Sequence, residues 1–275
     1  MKLKLLFQLL ILFLFDNFYC QIEVDNAAPY NNPVTLIDSI LLGGGVVSSN
    51  HSFQGDAMQI GYFNAINTNL NMDSGIVLST GDIVALDPNF NGIINMPNNS
   101  VSDPDLLNVA NSVPGLIGQM FSVSGVFDVA LLEFDFIPNS DTLVFDYIFG
   151  SNEYLQWVNS NFNDVFAFFV SGPGITGPYN APAAFPGGAQ NVAVVPGTNT
   201  PITISTIHPD LNGQYYINNN GNSFTHNGFT VPITINIDVI CGATYHFKFG
   251  IADCTDDFLN TAVFIEAGSF VSDAV

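Results

Sequence analysis

The stretch FDYIFGSNEYLQWVNSNFNDVFAFFVSG, residues 145–172, decides the fold. Two aromatic-rich apolar runs, 145–149 and 165–170, flank a polar insert that carries Ser151, Asn152, Glu153, Asn163 and Asp164. Short apolar runs of β-branched and aromatic residues, bounded by turn formers, read as buried strands. The insert between them then hangs at one end of a sheet as a loop of oxygen donors.

Outward from this stretch the pattern stays β. Residues 129–137 alternate, with Leu132, Phe134 and Phe136 on one face and Leu131, Glu133 and Asp135 on the other. Further strands are expected at 59–63, 75–79, 83–86, 142–149, 192–195, 202–206, 214–217, 229–240, 244–251 and 262–267. Pro232 places the start of its strand at an edge or bulge. Leu36, Ile37, Ile40 and Leu41, at helical spacing ahead of Gly43-Gly44-Gly45, predict one short helix. Asp103-Pro104-Asp105 opens a second, of one or two turns. Residues 172–188, rich in Gly, Pro and Ala, read as a surface loop. The expected fold is an all-β antiparallel sandwich, jelly-roll-like, with one or two short helices near the N-terminus.

Lys2 and Lys4 precede an unbroken apolar run over 5–15. That is the shape of a secretory signal, and the run is too short for a bilayer, which needs ~20 residues. A cut before Gln21 makes 1–20 the signal and 21–275 a single domain. A lipidated Cys20 is the alternative, which bulky Tyr19 disfavours. The expectation is an exported chain, secreted or at the cell surface, with no transmembrane segment in its mature part.

Of 24 acids and three lysines in the chain, Asp16, Lys2 and Lys4 fall in the signal, so 23 acids face Lys248 alone. Such a chain cannot neutralise phosphates, which argues against nucleic acid and anionic membranes and favours multivalent cations. Export suggests a disulfide between Cys241 and Cys254. A strand over 244–251, rising ~3.3 Å per residue, would hold its ends ~23 Å apart, against the ~7 Å a disulfide allows. Two unbonded cysteines are expected.

Four runs together resemble the choice-of-anchor L domain family of bacterial surface and secreted proteins. They are DSGIVLSTGDI (73–83), LLEFDFIPNSDTLVFDYIFGSNEYLQWVNSNFNDVFAFFVSGPGI (131–175), NGFTVPITI (227–235) and TYHFKFGIADCTDDFLNTAVFIEAGSF (244–270). The resemblance implies a module carried on surface proteins with varied anchors or sorting tails. It supplies no catalytic residues to carry over. The chain stops just past the module, so the expectation is a small, freely secreted member or part of a longer reading frame.

Calcium takes six to eight oxygens from carboxylates, amides and carbonyls. Glu153, Asn163, Asp164, Asp253, Asp256 and Asp257 each sit in a loop beside a strand. They converge at one rim if the strands at 165–170 and 244–251 run alike. Ca²⁺ is the cofactor this set would take; solvated turn acids are the plainer reading. Residues 87–92 match the first half of a calcium loop, but the twelfth position is Asn98 and no helices flank it, so an ordinary turn is expected. Glu133 and Asp135 resemble a glycosidase acid pair, yet Ile137 and Pro138 follow and no third acid completes the strand; no catalysis is expected. His51, His208, His226 and His246 are isolated, which argues against zinc. Tyr154, Trp157 and Phe162 are the candidate ligand-binding residues. They either stack on a sugar or a partner protein or fold back as a plug, and the plug is favoured. The functional expectation is a non-catalytic extracellular module, adhesive or architectural, whose partner is an extracellular glycan or surface protein. The alternative is a lectin-like or glycan-active β-sandwich.

Overall fold

The computed structural model describes residues 20–94, 96–220 and 223–273. Apart from Cys20, the signal read from the sequence lies outside them. Two antiparallel sheets pack face to face. The larger runs in the order β1 (Glu23–Asp25), β3 (Ile60–Asn64), β4 (Ser74–Ser79), β13 (Thr261–Glu266), β6 (Thr142–Ser151), β10 (Gly228–Thr230) and β9 (Tyr216–Asn218), with β11 (Ile233–Asp238) also paired to β6. The smaller runs β2 (Val46–Gln54), β5 (Val126–Pro138), β12 (Tyr245–Cys254), β7 (Val165–Ser171) and β8 (Gln190–Asn191).

The period-2 pattern sets the core, because alternate side chains of a strand share a face. Phe134 and Phe136 of β5, Phe145, Tyr147 and Phe149 of β6, Phe166 and Phe168 of β7, and Phe247 and Phe249 of β12 all meet between the sheets. Their rings pack largely edge to face, as Tyr147 and Phe168 do at 4.9 Å and 83°, the geometry that ring quadrupoles favour. Both outer faces are partly covered as well. Helix α2 (Pro104–Leu116) lays Leu106, Val109 and Ala110 over Val129, Leu131, Ala167 and Phe169 of the smaller sheet. Behind the larger sheet, Ile22, Leu70, Ile83 and Phe224 cover Phe63, Ile148 and Phe264. This double burial explains why β7 is apolar without a break: every residue of it is buried.

Several local expectations change. Residues 83–86 form a 3₁₀ turn, because the Asp82 carboxylate accepts the Val84 N–H at 3.1 Å and starts a turn in place of a strand. Residues 202–206 are buried turns: Thr203 N–H donates to the Thr206 hydroxyl at 2.8 Å and Ser205 N–H to the Thr203 hydroxyl at 3.2 Å. Those bonds replace ladder bonds. The strand expected over 229–240 is two, β10 and β11, interrupted at Val231-Pro232 where proline has no N–H to give. The second helix is 13 residues long. Its start is as expected, with Pro104 in the first turn and Asp103 accepting the Asp105 and Leu106 N–H groups at 2.8 and 3.0 Å. The first helix is α1 (Pro33–Thr35), continuing as a π turn (Leu36–Leu41) that buries Leu36, Ile37 and Leu41. Cys241 is exposed, Cys254 is buried, and neither is bonded.

Candidate metal centre at the sandwich rim

Strand order brings the acids together. Start of β7 and end of β12 are register partners, Val165 opposite Ala252, in antiparallel strands. Asp164, just before β7, therefore lies beside Asp253, near the end of β12. The expectation of like-running strands is wrong in this respect: opposed strands put the start of one beside the end of the other. Asp253 also belongs to the strand itself, just past a bulge in the pairing with β5 that falls between Ile251 and Asp253. Such a bulge redirects side chains. Glu153 follows β6, whose last residue, Ser151, pairs with Thr261 at the start of β13. All these ends meet at one rim and join both sheets.

Asp164 is the hub. Its Oδ1 accepts the Cys254 N–H at 2.9 Å, and its Oδ2 accepts the Thr261 hydroxyl at 2.6 Å. Thr261 lies 3.0 Å from the Ser151 hydroxyl, which in turn accepts the Glu153 N–H at 2.9 Å. Glu153, Asp164 and Asp253 are buried, at 2%, 1% and 1% exposure. Glu153 Oε2 has no hydrogen-bond partner, while Asp253 has the Asp164 carboxyl and the Thr80 hydroxyl beside it. Burial, and next the charge of neighbouring Asp164, pushes the Glu153 and Asp253 carboxyls far above the ordinary carboxylate range. Burial lifts Asp164 to about 7 despite its two donors. Unpartnered buried carboxylate oxygens are costly unless protonated or matched by a cation.

The six expected metal residues separate into groups. Glu153, Asp164 and Asp253 feel one another's charge, and half-exposed Asp256 acts on the first two. Asp257 is exposed and its charge bears on Asp128, which burial and Asp257 together raise to about 6. Asn163 is fully buried, but its carbonyl already accepts the Ser205 N–H at 3.3 Å. Among the described residues no three His, Cys, Asp or Glu side chains stand converged on one metal-sized point. The sequence names Ser151 only as one donor of the polar insert, and it does not mark Thr261 or Asp128. A strand threonine and serine carry no local signal, and Asp128 is recognisable only by its left-handed backbone, at φ 48°.

Tyr154 is 3% exposed and packs against Phe149 and Tyr216, so it plugs the core end. Trp157 and Phe162 are half-buried and meet edge to face at 4.8 Å. They line a pocket of about 200 Å³ with Glu153, Asp256, Phe258 and Leu259. Asp87 accepts the Asn89 N–H at 2.8 Å, an ordinary Asx turn.

On the outer face of the smaller sheet, His246 bridges the other acid pair, 3.1 Å from Glu133 and 2.8 Å from Asp135. Gln54 donates to the remaining Glu133 oxygen. Burial opposes the imidazolium, but the bonds to both carboxylates outweigh it and raise the His246 pKa. Lys248 sits between Asp103 at 2.8 Å and Asp105 at 3.1 Å, tying the start of α2 to β12.

A family model for the choice-of-anchor L domain matches residues 23–271, nearly the whole described chain. The chain belongs to that family. No curated protein and no solved structure matches it. Choice-of-anchor L domains are surface-associated or secreted bacterial domains, and the family is not known as catalytic. The described residues contain no helix long and apolar enough to cross a membrane.

Proposed function

We propose that this choice-of-anchor L domain is a non-catalytic extracellular module with an adhesive or architectural role, and that it is stabilised by Ca²⁺ at the acidic rim. One observation supports the metal most directly: three buried carboxylates crowd one rim with few donors to match them, and Glu153 Oε2 has none. A hard divalent cation is the partner that suits such oxygens. Glu153, Asp164 and Asp253 would hold it, with Asp256 on the open side; Asp257 and Asn163 are left out of the set for the reasons above. Ca²⁺ would draw the three inner carboxylates onto a common point and fix both sheets at their shared end. A rim that stiffens only outside the cell, where calcium is abundant, suits a displayed module. Both oxygens of Glu133 are engaged, which weighs against the glycan-active alternative.

Thermal unfolding in chelator and in excess Ca²⁺ tests the metal. A ligand that binds only the native state at a hundredfold excess over its Kd adds ~2.7 kcal/mol. An unchanged melting temperature removes calcium from the proposal. The adhesive role is tested with beads coated in the domain: clustering, or capture of bacterial cells or glycans, that depends on Ca²⁺ supports it. Inert beads leave an architectural role, which a loss of surface integrity in a deletion strain would report.

A further inference from the structure

The pocket beside the acid cluster has a wall chemistry of its own. Trp157 and Phe162 form its aromatic side, and Glu153 and Asp256 its acidic side. Glu153 is 2% exposed and closes the floor of the pocket, so half-exposed Asp256 is the carboxylate an entering group meets. At the mouth the surface turns apolar: Phe258 is 77% exposed and Leu259 36%. Aromatic faces next to carboxylates attract an organic cation, by ring quadrupole and by charge together. About 200 Å³ holds one long side chain and little more.

We infer that this pocket receives a lysine or arginine side chain presented by a second, basic protein. Exposed Phe258 and Leu259 at the mouth argue for a protein over a free amine, because apolar contacts beside a polar socket exclude water from an anchor residue. The described residues of a second copy offer no free cation of this kind. Among the described residues Lys248 is the sole lysine and there is no arginine, and its ammonium is held by Asp103 and Asp105. The acidic balance of the chain would in addition speed encounter with a basic partner. The inference does not rest on calcium: Asp256 and the two rings line the pocket in the metal-free protein.

The test is a calorimetric titration of the domain at physiological salt with a short peptide carrying one lysine between leucines, against the same peptide with that lysine Nε-acetylated. Acetylation should weaken binding at least tenfold, since it removes the charge and keeps the stem. Phe258→Ser and Asp256→Asn, both at the mouth and outside the core, should each weaken binding of the lysine peptide severalfold. Asp87→Asn, a remote loss of one negative charge, should not. Equal binding of both peptides, or equal effects of Asp256→Asn and Asp87→Asn, overturns the pocket. Binding of lysine methylamide as tight as the peptide, unaffected by Phe258→Ser, overturns the protein partner. Repeating the titration in chelator separates the two proposals: peptide binding that persists where no calcium shift exists sinks only the metal.

Discussion

The rim acids make a quantitative prediction about pH. Asp164 is fully buried with its pKa near 7, against 3.8 for a free carboxyl. The native state without metal then binds more protons than the unfolded chain across that interval. The stability this protonated group brings is complete below about pH 4 and falls as pH rises through about 7. Between pH 5 and pH 8 the loss from Asp164 alone is about 3 kcal/mol, at ~1.4 kcal/mol for each pH unit between the two pKa values. For a domain of this size that lowers the melting temperature by roughly 5–10 °C. Glu153 and Asp253 shift the same way and steepen the fall. Asp253→Asn keeps the shape and removes one titrating carboxyl, so in chelator it should flatten the slope and raise stability at pH 8. Calcium binds the ionised form, so its rescue should be largest at pH 8, small at pH 5, and lost in Asp253→Asn. Circular dichroism melts of both proteins at pH 5, 6.5 and 8, in chelator and in Ca²⁺, decide it. A wild-type melting temperature that stays constant within about 1 °C over this range in chelator would refute the idea that these carboxylates are buried together.

Lys248→Met should cost about 3–5 kcal/mol in urea unfolding, because Asp103 and Asp105 would stay buried without their cation; a loss under about 1 kcal/mol would mean the pair is solvated and worth no more than a surface bridge. Tyr154→Ala should cost about 3–5 kcal/mol by opening a cavity against Phe149 and Tyr216, whereas an aromatic that served only to stack on a ligand would be lost at little cost to folding. Gly75→Ala should fail to accumulate as folded protein, since the new Cβ would stand 1.9 Å from the Ile265 carbonyl across the β4–β13 ladder. Normal yield and an unchanged urea midpoint for that variant would show that the ladder is misplaced.

What the chain determines by itself is its class and most of its strands. Alternation in β5 and β11 and the aromatic runs of β6 and β7 are local signals, and they predict a sandwich because side chains of a strand repeat every two residues. The cap of α2 is equally local, a carboxylate and a proline at fixed spacing. Failures came where side-chain hydroxyls and carboxylates competed for backbone N–H groups, at 83–86 and 202–206, a contest that apolar patterning does not register. The acids at the rim were visible as loop residues, but their shared burial was not. Asp164 and Asp253 are about ninety residues apart in the chain, and only the antiparallel pairing of β7 with β12, the bulge ahead of Asp253 and the joining of β6 to β13 bring them under one roof. Burial then changes what the groups are: a solvated aspartate is an ordinary turn residue, and the same aspartate stripped of water beside two others holds a proton or calls for a cation. Desolvation is a property of the packed whole, so no window of sequence contains it.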